Sequence, residues 1–425
     1  MADLRTRQLP NGLRIVAQRI PGVSGAGISV NYRVGFRSEP PMRSGFAHLF
    51  EHMMFQGSRN IPRGEHFARI QASGGTVNGH TFPDHTDYYQ VVPGPMLGQV
   101  LSMEADRMTH LRIDRDNLDT QRDVVKQEIA LQVDGKPYGG FPWTVLPQAL
   151  YSLWHNAHNG YGEPVDLDTA TVEDCRSFYD AHYGPGNAVL ALCADTDAEG
   201  LLDAATTHFE TLPARPLPPP VPLEEPLRGP QHLTRWDRLA PRPALALGHR
   251  MPPAGAELRE YAAHLVLSQV LTGGTTGRLK QRLGAQGARS DSSVGFFGPL
   301  MATDPDTFVL VVHRPDTLSP SATLDVVRDE LRAVAGGLAP AALSHAVHSV
   351  RRGLYQAMDS LAHRTRALAR GELLFARPLI LDDLARALTA VTVDDVHRAA
   401  AHLAEEDGSA VVDLLPGTAP LEAAA

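Results

Sequence analysis

The chain has little of what marks several large classes of protein. It holds only two cysteines, Cys175 and Cys193, in 425 residues, which argues against a disulfide framework and favours buried thiols in a reducing compartment. It has no basic run and a net charge of −9, which argues against nucleic-acid binding. It has no apolar stretch long enough to cross a bilayer, and its first residues lack the apolar core of a secretory signal. We therefore expect a globular, cytoplasmic protein.

The most informative segment runs from His48 to His52 and has the pattern H-x-x-E-H, with Glu51 before the second histidine. It lies in an apolar-periodic stretch, which predicts a helix. Residues four apart share a helix face, so both imidazoles would point at one spot, as two ligands of a zinc ion must. Glu51 would lie beside that spot, where a carboxylate can take a proton from water. The pattern is the zincin motif in reverse. The alternative is a helix with two structural histidines and a surface glutamate.

A second helix is predicted over residues 116–131. Acidic residues crowd its start, and an apolar stripe is formed by Leu118, Val125 and Ile129 with the neighbouring Val124. Glu128 lies beside that stripe, where it could be drawn into a site. Composition alone favours an ordinary solvated glutamate, so these residues by themselves do not assign a third ligand.

Seven segments together carry a recognisable pattern: Asn11–Val16, Gly45–Ser58, Gly74–Thr81, Asp84–Thr86, Tyr88–Tyr89, Arg122–Ile129 and Tyr183–Asn187. The pattern resembles the pitrilysin-type zinc metalloendopeptidases, in the branch of mitochondrial processing peptidase and its small bacterial relatives. The resemblance covers nearly the whole chain and is most specific at the three zinc positions.

The resemblance implies one zinc ion per chain, held by His48, His52 and Glu128. In the family, the third ligand is a glutamate at the distance that separates Glu128 from the second histidine. Glu51 is implied as the catalytic base, which would accept a proton from water and pass it to the leaving amine.

Further residues take their roles from the same resemblance. Asn78 matches a position that lines the cleft, where its amide could bind the substrate backbone; the alternative is a turn asparagine. Gln121 replaces a glutamate of the relatives and would hydrogen-bond a ligand histidine without adding charge. The strand-forming segment 81–91 is expected to offer an edge that pairs with an extended peptide. Because a catalytic zinc needs three protein ligands, we expect His80 and His85 to be non-ligands.

A Pro-rich segment divides the chain into two halves. Residues 212–230 hold eight prolines, which predicts an extended linker. We expect a zinc-binding catalytic half over 1–211 and a second half over 231–425 that lacks the zinc motif. Short parallels between the halves, such as T-V-E-D at 171–174 and T-V-D-D at 392–395, indicate a duplication.

The second half differs from the first half at the zinc motif and departs from the family at one further pair of positions. In register, Leu267 and Ser268 replace the glutamate and second histidine of the motif, so we expect His264 to be a lone core or surface histidine and not a ligand. Relatives also carry an arginine and a tyrosine seven apart that bind substrate and stabilise the oxyanion. Those positions fall here on Gly284 and Asp291, which cannot donate in the same way.

Strand and helix patterns do not alternate strictly, which favours an α+β fold with antiparallel-rich sheets and flanking helices. The resemblance implies the same fold, as two related halves that face each other across a substrate cavity. Predicted strands cover 14–18, 27–32, 188–192 and 307–312, and predicted helices cover 324–335 and 341–361. The last five residues, 421–425, are expected to form a frayed tail.

The leading hypothesis is a zinc metalloendopeptidase that cleaves unfolded peptides or leader segments. Because this chain lacks the arginine and tyrosine, we expect it to be the zinc-bearing subunit of a heterodimer whose homologous partner supplies them. A homodimer using Arg278, Arg282 or Arg289 is the alternative for that donor. The alternative function is a non-catalytic peptide-binding or scaffold subunit of the same fold. The sequence predicts neither the natural substrate nor the cleavage preference.

Overall fold

The computed structural model describes residues 3–226, 228–255 and 258–419. The chain forms two compact units. The first comprises Met1–Gln127, Gly160–Val221 and Tyr355–Leu381, and the second comprises Glu128–Asn159, Pro222–Leu354 and Asp382–Ala425. Residues 421–425, the expected frayed tail, lie outside the described residues. Among the helices that the structure describes, none has the length and apolar character needed to cross a membrane.

The first unit is built on one mixed sheet. Its strands are β1 (Leu4–Gln8), β2 (Arg14–Arg19), β3 (Gly25–Tyr32), β4 (Thr76–Thr81), β5 (Thr86–Pro93) and β6 (Ala188–Ala194). They are arranged in the order β1-β2-β6-β3-β5-β4, with β2 and β6 parallel and the other neighbours antiparallel. Strand β6 is buried along its whole length, as expected for an apolar run in the middle of a sheet. Strand β4 forms one edge.

The second unit repeats this sheet, except that its described residues form no equivalent of β1. Its strands are β7 (Gln231–Asp237), β8 (Ala244–Arg250), β9 (Arg289–Val294), β10 (Thr307–His313) and β11 (Ser409–Pro416). The order is β7-β11-β8-β10-β9, again with one parallel pair, β7 and β11, and antiparallel neighbours elsewhere. The matching order and directions support the predicted duplication, and the mixed α+β class is confirmed.

Helices flank both sheets. They are α1 (Phe46–Met53), α2 (Glu65–Ala72), α3 (Leu97–His110), α4 (Arg115–Ile129), α5 (Leu146–Leu150), α6 (Trp154–Ala157), α7 (Pro164–Asp168), α8 (Val172–His182), α9 (Ala198–Phe209), α10 (Leu258–Thr272), α11 (Arg278–Gly284), α12 (Pro320–Gly336), α13 (Pro340–Met358), α14 (Leu361–Phe375), α15 (Ile380–Thr389) and α16 (Val393–Ala404). Helix α4 is continuous through the boundary between the units.

The duplication extends to the helix caps. Thr171 begins α8 and Thr392 begins α16, and each hydroxyl accepts the backbone N–H of an aspartate three residues later. Each aspartate carboxylate accepts the backbone N–H of its threonine in return. These capping boxes are the reason why the T-V-E-D and T-V-D-D segments match.

Each unit contains a helix from the other side of the Pro-rich segment. Helix α14 packs on the first sheet, where Leu368 and Leu373 join Val189 in one buried cluster. Helix α5 packs on the second sheet, where Leu146 joins Val412. The compact units therefore do not follow the division at 212–230, which stays a prediction for the domain border.

Most of the predicted elements match those observed, and the differences are local. The helix predicted over 341–361 ends at Met358, because Ser360 caps the start of α14 and its hydroxyl accepts the His363 N–H. Val124 does not belong to the buried stripe of α4, since it is 40% exposed, whereas Leu118 and Val125 are buried.

Candidate metal centre and substrate edge

Helix α1 carries the H-x-x-E-H motif and is fixed at its first turn. The carboxylate of Glu39 is fully buried and accepts the backbone N–H of Gly45 at 2.9 Å and that of Ala47 at 2.7 Å. These groups belong to the N–H donors that a helix start leaves without an intrahelical partner, and the helix dipole favours a negative charge there. The buried carboxylate therefore anchors the start of the helix at Gly45 and Ala47, directly before the first motif histidine.

The apolar face of α1 fixes its rotation. Phe46 and Phe50 lie one turn apart and pack against the ring of Phe178, with centroid distances of 5.7 and 5.2 Å. Phe50 also stacks on Tyr183 at 5.3 Å. Because these aromatic residues occupy one face of the helix, the polar residues of the motif are left on the other.

Three potential ligands converge at this polar face. One ligand atom from each of His48, His52 and Glu128 lies within 4.8 Å of the others. His48 is buried, and the other two residues are partly buried. Two imidazole nitrogens and a carboxylate oxygen are the donor set that a catalytic zinc takes, with one position left for water. The three predicted ligands therefore fit a zinc ion.

A backbone carbonyl orients the first histidine. Nδ1 of His48 lies 3.1 Å from the carbonyl oxygen of Tyr161. A carbonyl can only accept, so Nδ1 must carry the proton and Nε2 keeps its lone pair. This arrangement fixes the tautomer that a metal ligand needs.

Glu51 is held from the neighbouring strand. The hydroxyl of Thr81, at the end of β4, donates to Oε2 of Glu51 at 2.7 Å. Removal of the carboxyl from solvent raises the pKa of Glu51 above its ordinary value, against the lowering effects of His48 and the Thr81 hydroxyl. A raised pKa suits a general base, because it improves proton transfer near neutral pH.

Close approach of β4 to α1 requires a small residue. A Cβ atom added to Gly79 would lie 3.3 Å from Cγ of Glu51 and 3.1 Å from the ring of Tyr88. Gly79 and Thr81 therefore share the strand face that contacts the motif, since alternate residues of a strand point to the same side.

Asn78 is exposed on the opposite face of the same strand, and its Oδ1 accepts the N–H of Gly79 at 3.0 Å. Among the described residues β5 is the one strand that pairs with β4, so the outer backbone N–H and C=O groups of β4 lie at an edge of the sheet. The prediction that segment 81–91 forms the edge strand is wrong. Residues 86–93 form β5, which lies inside the sheet between β3 and β4, and the preceding strand β4 is the edge.

Gln121 lies on α4, two helical turns before Glu128. It is buried together with Leu118 and Val125, so it belongs to the inward face of that helix. Its predicted hydrogen bond to a ligand histidine stays a prediction.

Two nearby histidines lie outside the ligand group that the described residues form. Nδ1 of His80 lies 3.3 Å from Asp87. His85 is fully buried, which lowers its pKa to about 3, and its ring stacks on Phe82 at 4.7 Å. A neutral ring packed in this way is typical of a structural histidine.

The second unit has other groups at the corresponding places. His264 is buried, with Nδ1 3.0 Å from the Glu260 carbonyl oxygen and Nε2 3.3 Å from Nδ1 of His402. The hydroxyl of Ser268, at the place of the second motif histidine, lies 2.8 Å from that of Ser292. A network of hydroxyl groups thus occupies this region of the repeat.

The positions expected for an arginine and a tyrosine hold no such side chains. Gly284 ends α11, and Asp291 is exposed on β9 and pairs with Lys280 at 3.3 Å. Two of the substitute donors form ion pairs with α12, since Arg278 lies 2.6 Å from Glu330 and Arg282 lies 3.3 Å from Asp329. Arg289 is exposed at the start of β9.

Several supporting residues were not predicted. Tyr161 acts through its carbonyl, which any residue carries, so its identity gives no signal. Glu39 and Thr81 act through side chains, but their partners are 8 and 30 positions away along the chain. A pattern of neighbouring residues in the sequence does not predict contacts between residues that are this far apart along the chain.

This donor set, with an adjacent glutamate on an α+β fold, is typical of the metallopeptidases whose zinc motif is H-x-x-E-H. Two family models match the chain. The model described as Insulinase (Peptidase family M16) matches residues 14–137, and the one described as Peptidase M16 inactive domain matches residues 169–350. The chain belongs to this pitrilysin-type family, peptidase family M16, whose named relatives include zinc proteases.

Three known proteins illustrate the similarity. An uncharacterized zinc protease of Mycobacterium tuberculosis is 29% identical over 94% of this chain and 90% of its own length. The beta subunit of the mitochondrial-processing peptidase of Saccharomyces cerevisiae is 28% identical over 53% of this chain and 48% of its own. The crystal structure of a protease from Helicobacter pylori shares the fold, with a TM-score of 0.86 at 22% identity over 97% of this chain and 99% of that one.

Proposed function

We propose that this chain is a zinc-dependent endopeptidase that hydrolyses unfolded peptides or leader segments, with one zinc ion per chain. The observation that carries the proposal is the convergence of His48, His52 and Glu128 within 4.8 Å, beside a Glu51 that Thr81 holds in place. A scaffold has no need of all these side chains together.

The roles of the residues follow from their positions. A bound zinc ion would supply Lewis-acid chemistry, which polarises a carbonyl and acidifies water. Glu51 accepts the proton of the attacking water and delivers it to the leaving amine. His48 is held in the tautomer with Nε2 available, and Gln121 supports a ligand histidine from the inward face of α4. Membership in a family with zinc proteases supports these assignments.

The substrate is an extended peptide that adds a strand to β4. An edge strand offers backbone N–H and C=O groups that bind a peptide whatever its sequence. Asn78 supplies an amide at that edge, and Glu51 lies against the same strand through Thr81 and Gly79. A bound peptide bond would therefore pass close to the base.

The oxyanion donors come from a second, homologous chain. Gly284 and Asp291 stand where relatives carry arginine and tyrosine, and Arg278 and Arg282 are occupied by carboxylates of α12. A heterodimer with a partner that carries the arginine and tyrosine supplies both groups. The yeast relative, by its name, is one subunit of a processing peptidase. A homodimer that uses the exposed Arg289 is the alternative source.

The missing arginine and tyrosine also favour a second candidate function, a non-catalytic peptide-binding subunit. The two functions differ in one step, the proton transfer at Glu51. As compartment we propose the cytoplasm, because both cysteines are buried free thiols that fit a reducing environment.

The test is hydrolysis of a quenched fluorescent peptide library by the zinc-loaded chain, with Glu51→Gln as matched control. We expect one zinc equivalent in both proteins and cleavage within the peptides, lost in the control by at least about a hundredfold. Activity of the chain alone would show that it provides its own donors. Activity only with a homologous chain carrying arginine and tyrosine supports the heterodimer. Zinc binding without hydrolysis under either condition would leave the peptide-binding function.

A further inference from the structure

A cluster of charged and aromatic side chains lies on the face of the first sheet opposite the metal centre. We call it the Arg366 cluster, comprising Arg366 of α14, His80 of β4, and Asp87 and Tyr89 of β5. Nε of Arg366 donates to Oδ2 of Asp87 at 2.8 Å, and Nη2 lies 3.1 Å from Nδ1 of His80. The guanidinium also lies over the Tyr89 ring at 4.6 Å. One side chain thus holds three residues on two strands.

The register between β4 and β5 shows that the Arg366 cluster contacts the edge strand β4. His80 pairs directly with Asp87, and Asn78 pairs directly with Tyr89. Residues 78 and 80 share one face of β4, while Gly79 and Thr81 share the other, which contacts Glu51. Arg366 therefore supports β4 on the face opposite Glu51, through the His80–Asp87 pair and through Tyr89, the partner of Asn78.

The charges show why an arginine is needed. Asp87 is completely buried, and a buried carboxylate without a partner is costly. Burial alone would raise the pKa of Asp87, but hydrogen bonding from His80 and the charge of Arg366 outweigh it and lower the pKa. The planar guanidinium of Arg366 contacts Asp87 of β5 through Nε and His80 of β4 through Nη2, two separate nitrogens in a fixed geometry.

His80 has a single nitrogen facing both partners. Its Nδ1 lies 3.1 Å from Nη2 of Arg366 and 3.3 Å from Oδ1 of Asp87. An arginine only donates and a carboxylate only accepts, so Nδ1 accepts from Arg366 when it is bare and donates to Asp87 when it is protonated. The ring also lies parallel to Tyr89, with 5.6 Å between centroids. Whether or not Nδ1 carries a proton, His80 keeps a partner in the Arg366 cluster.

We infer that Arg366 is a positioning residue for substrate: by joining Asp87, His80 and Tyr89, it holds edge strand β4 in the extended form that a peptide must pair with. The inference rests on the proposed function. Ordering an edge strand before binding removes part of the entropic cost of association. Arg366 touches neither the motif nor the reacting atoms, so it acts on substrate affinity and leaves the proton transfer at Glu51 unchanged.

The same helix offers a matched control. Nη1 of Arg14, on β2, donates to Oε1 and to the backbone carbonyl of Glu372 on α14, both at 2.9 Å. This pair also attaches α14 to the first sheet, but at β2, with β6, β3 and β5 between it and β4. A purely structural role predicts that loss of either arginine acts alike once stability is matched.

The experiment compares Arg366→Ala with Arg14→Ala in the full chain, under the conditions in which the wild type cleaves peptide. For Arg366→Ala we expect KM to rise about tenfold or more while kcat stays within about threefold, because pre-ordering of the edge affects binding. Zinc content should remain at one equivalent. For Arg14→Ala we expect KM to stay within about twofold at a similar loss of Tm. Equal KM values in the two variants would overturn the inference.

A second variant guards against misfolding. Arg366→Ala leaves the buried Asp87 without its arginine and with His80 as its remaining partner in the cluster, whereas the double variant Arg366→Ala with Asp87→Asn removes both charges. If the double variant folds and binds peptide like the wild type, the inference is wrong. Peptide affinity is also measured by fluorescence anisotropy in the zinc-loaded Glu51→Gln background. A wild type that neither binds nor cleaves peptide refutes the proposed function itself, whereas an intact wild type with an unaffected Arg366→Ala variant refutes only this inference.

Discussion

Gly45 and Gly162 approach each other so closely that neither has room for a side chain. A Cβ atom added to Gly162 would lie 2.4 Å from Cα of Gly45, and one added to Gly45 would lie 2.8 Å from Cα of Gly162. Both have positive φ angles, 92° and 95°. This contact holds Tyr161 against the start of α1, where the Tyr161 carbonyl oxygen accepts a hydrogen bond from Nδ1–H of His48.

The first prediction concerns this contact. Gly162→Ala should displace the Tyr161 carbonyl from His48, because the added methyl meets backbone atoms and the residue must keep a positive φ. We expect zinc affinity to fall about tenfold, the lower end of the loss seen when the partner of a ligand histidine is removed. Competition with a fluorescent zinc chelator measures it. Gly336→Ala, at a site with nothing within 4 Å, is the control, and equal affinities would contradict the prediction.

The second prediction concerns the hydrogen bond to Glu51, the proposed catalytic base. Thr81→Val keeps the shape of the side chain but removes the hydroxyl that Glu51 accepts. A hydrogen bond to a charged group contributes about 1.5–3 kcal/mol, so kcat should fall about ten- to a hundredfold with little change in zinc content. Thr81→Ser should recover most of the rate. Steady-state kinetics on one fluorescent peptide decides, and a normal rate in Thr81→Val would show that Glu51 does not need this donor.

The third prediction concerns removal of the metal. Zinc bound only to the folded chain should raise the free energy of unfolding, by about 2.7 kcal/mol when free zinc is a hundred times its Kd. A chelator should therefore lower Tm reversibly. His52→Ala should abolish the zinc-dependent shift, whereas His80→Ala should keep it, since His80 lies outside the ligand group of the described residues. Differential scanning calorimetry with and without zinc compares the three proteins.

The fourth prediction concerns acid. Burial lowers the pKa of His264 to about 4, and burial with nearby His402 lowers the pKa of His249 to about 3. Unfolded histidines titrate near 6.5, so between about 6.5 and 4 the unfolded chain binds more protons. Stability should be full above pH 6.5 and should fall as the pH decreases through this window.

The control for acid is His264→Gln. It should reduce the pH slope by at most about 1.4 kcal/mol per pH unit, the value for one proton. Urea unfolding at pH 7.5, 6 and 5 measures the slope. An unchanged slope would mean that His264 is protonated in the folded chain as readily as in the unfolded one.

The sequence predicted the elements better than their assembly. Runs rich in apolar side chains marked β2, β3, β6 and β10, because each is a local pattern that can be seen in the sequence. Periodicity also marked a helix after position 340, but it missed the break at Ser360, whose capping hydroxyl was a readable signal. Nothing local indicates that α14 covers the first sheet, since an apolar helix face fits any apolar surface.

The site divides in the same way. His48, Glu51 and His52 are one helical turn and could be read from spacing alone. Glu128 needed the family resemblance, because its neighbours describe only an amphipathic helix. Glu39 and Tyr161, which fix the motif in place, are set by tertiary contacts. A sequence pattern thus identifies functional groups that lie close together along the chain. Residues such as Glu39 and Tyr161, which contact the motif through the fold, are identified only from the structure.

Helix α5 precedes the Pro-rich segment but packs on the second sheet, and α14 follows the segment but packs on the first sheet. The Pro-rich segment therefore does not join two independent domains. A cut within 212–230 would leave the first fragment without the helix that covers β3 and β6, and the second without α5. Each fragment would hold what its counterpart needs to complete a core. Each half of the chain thus provides a helix that covers the sheet of the other half, and the Pro-rich segment keeps the two halves covalently joined.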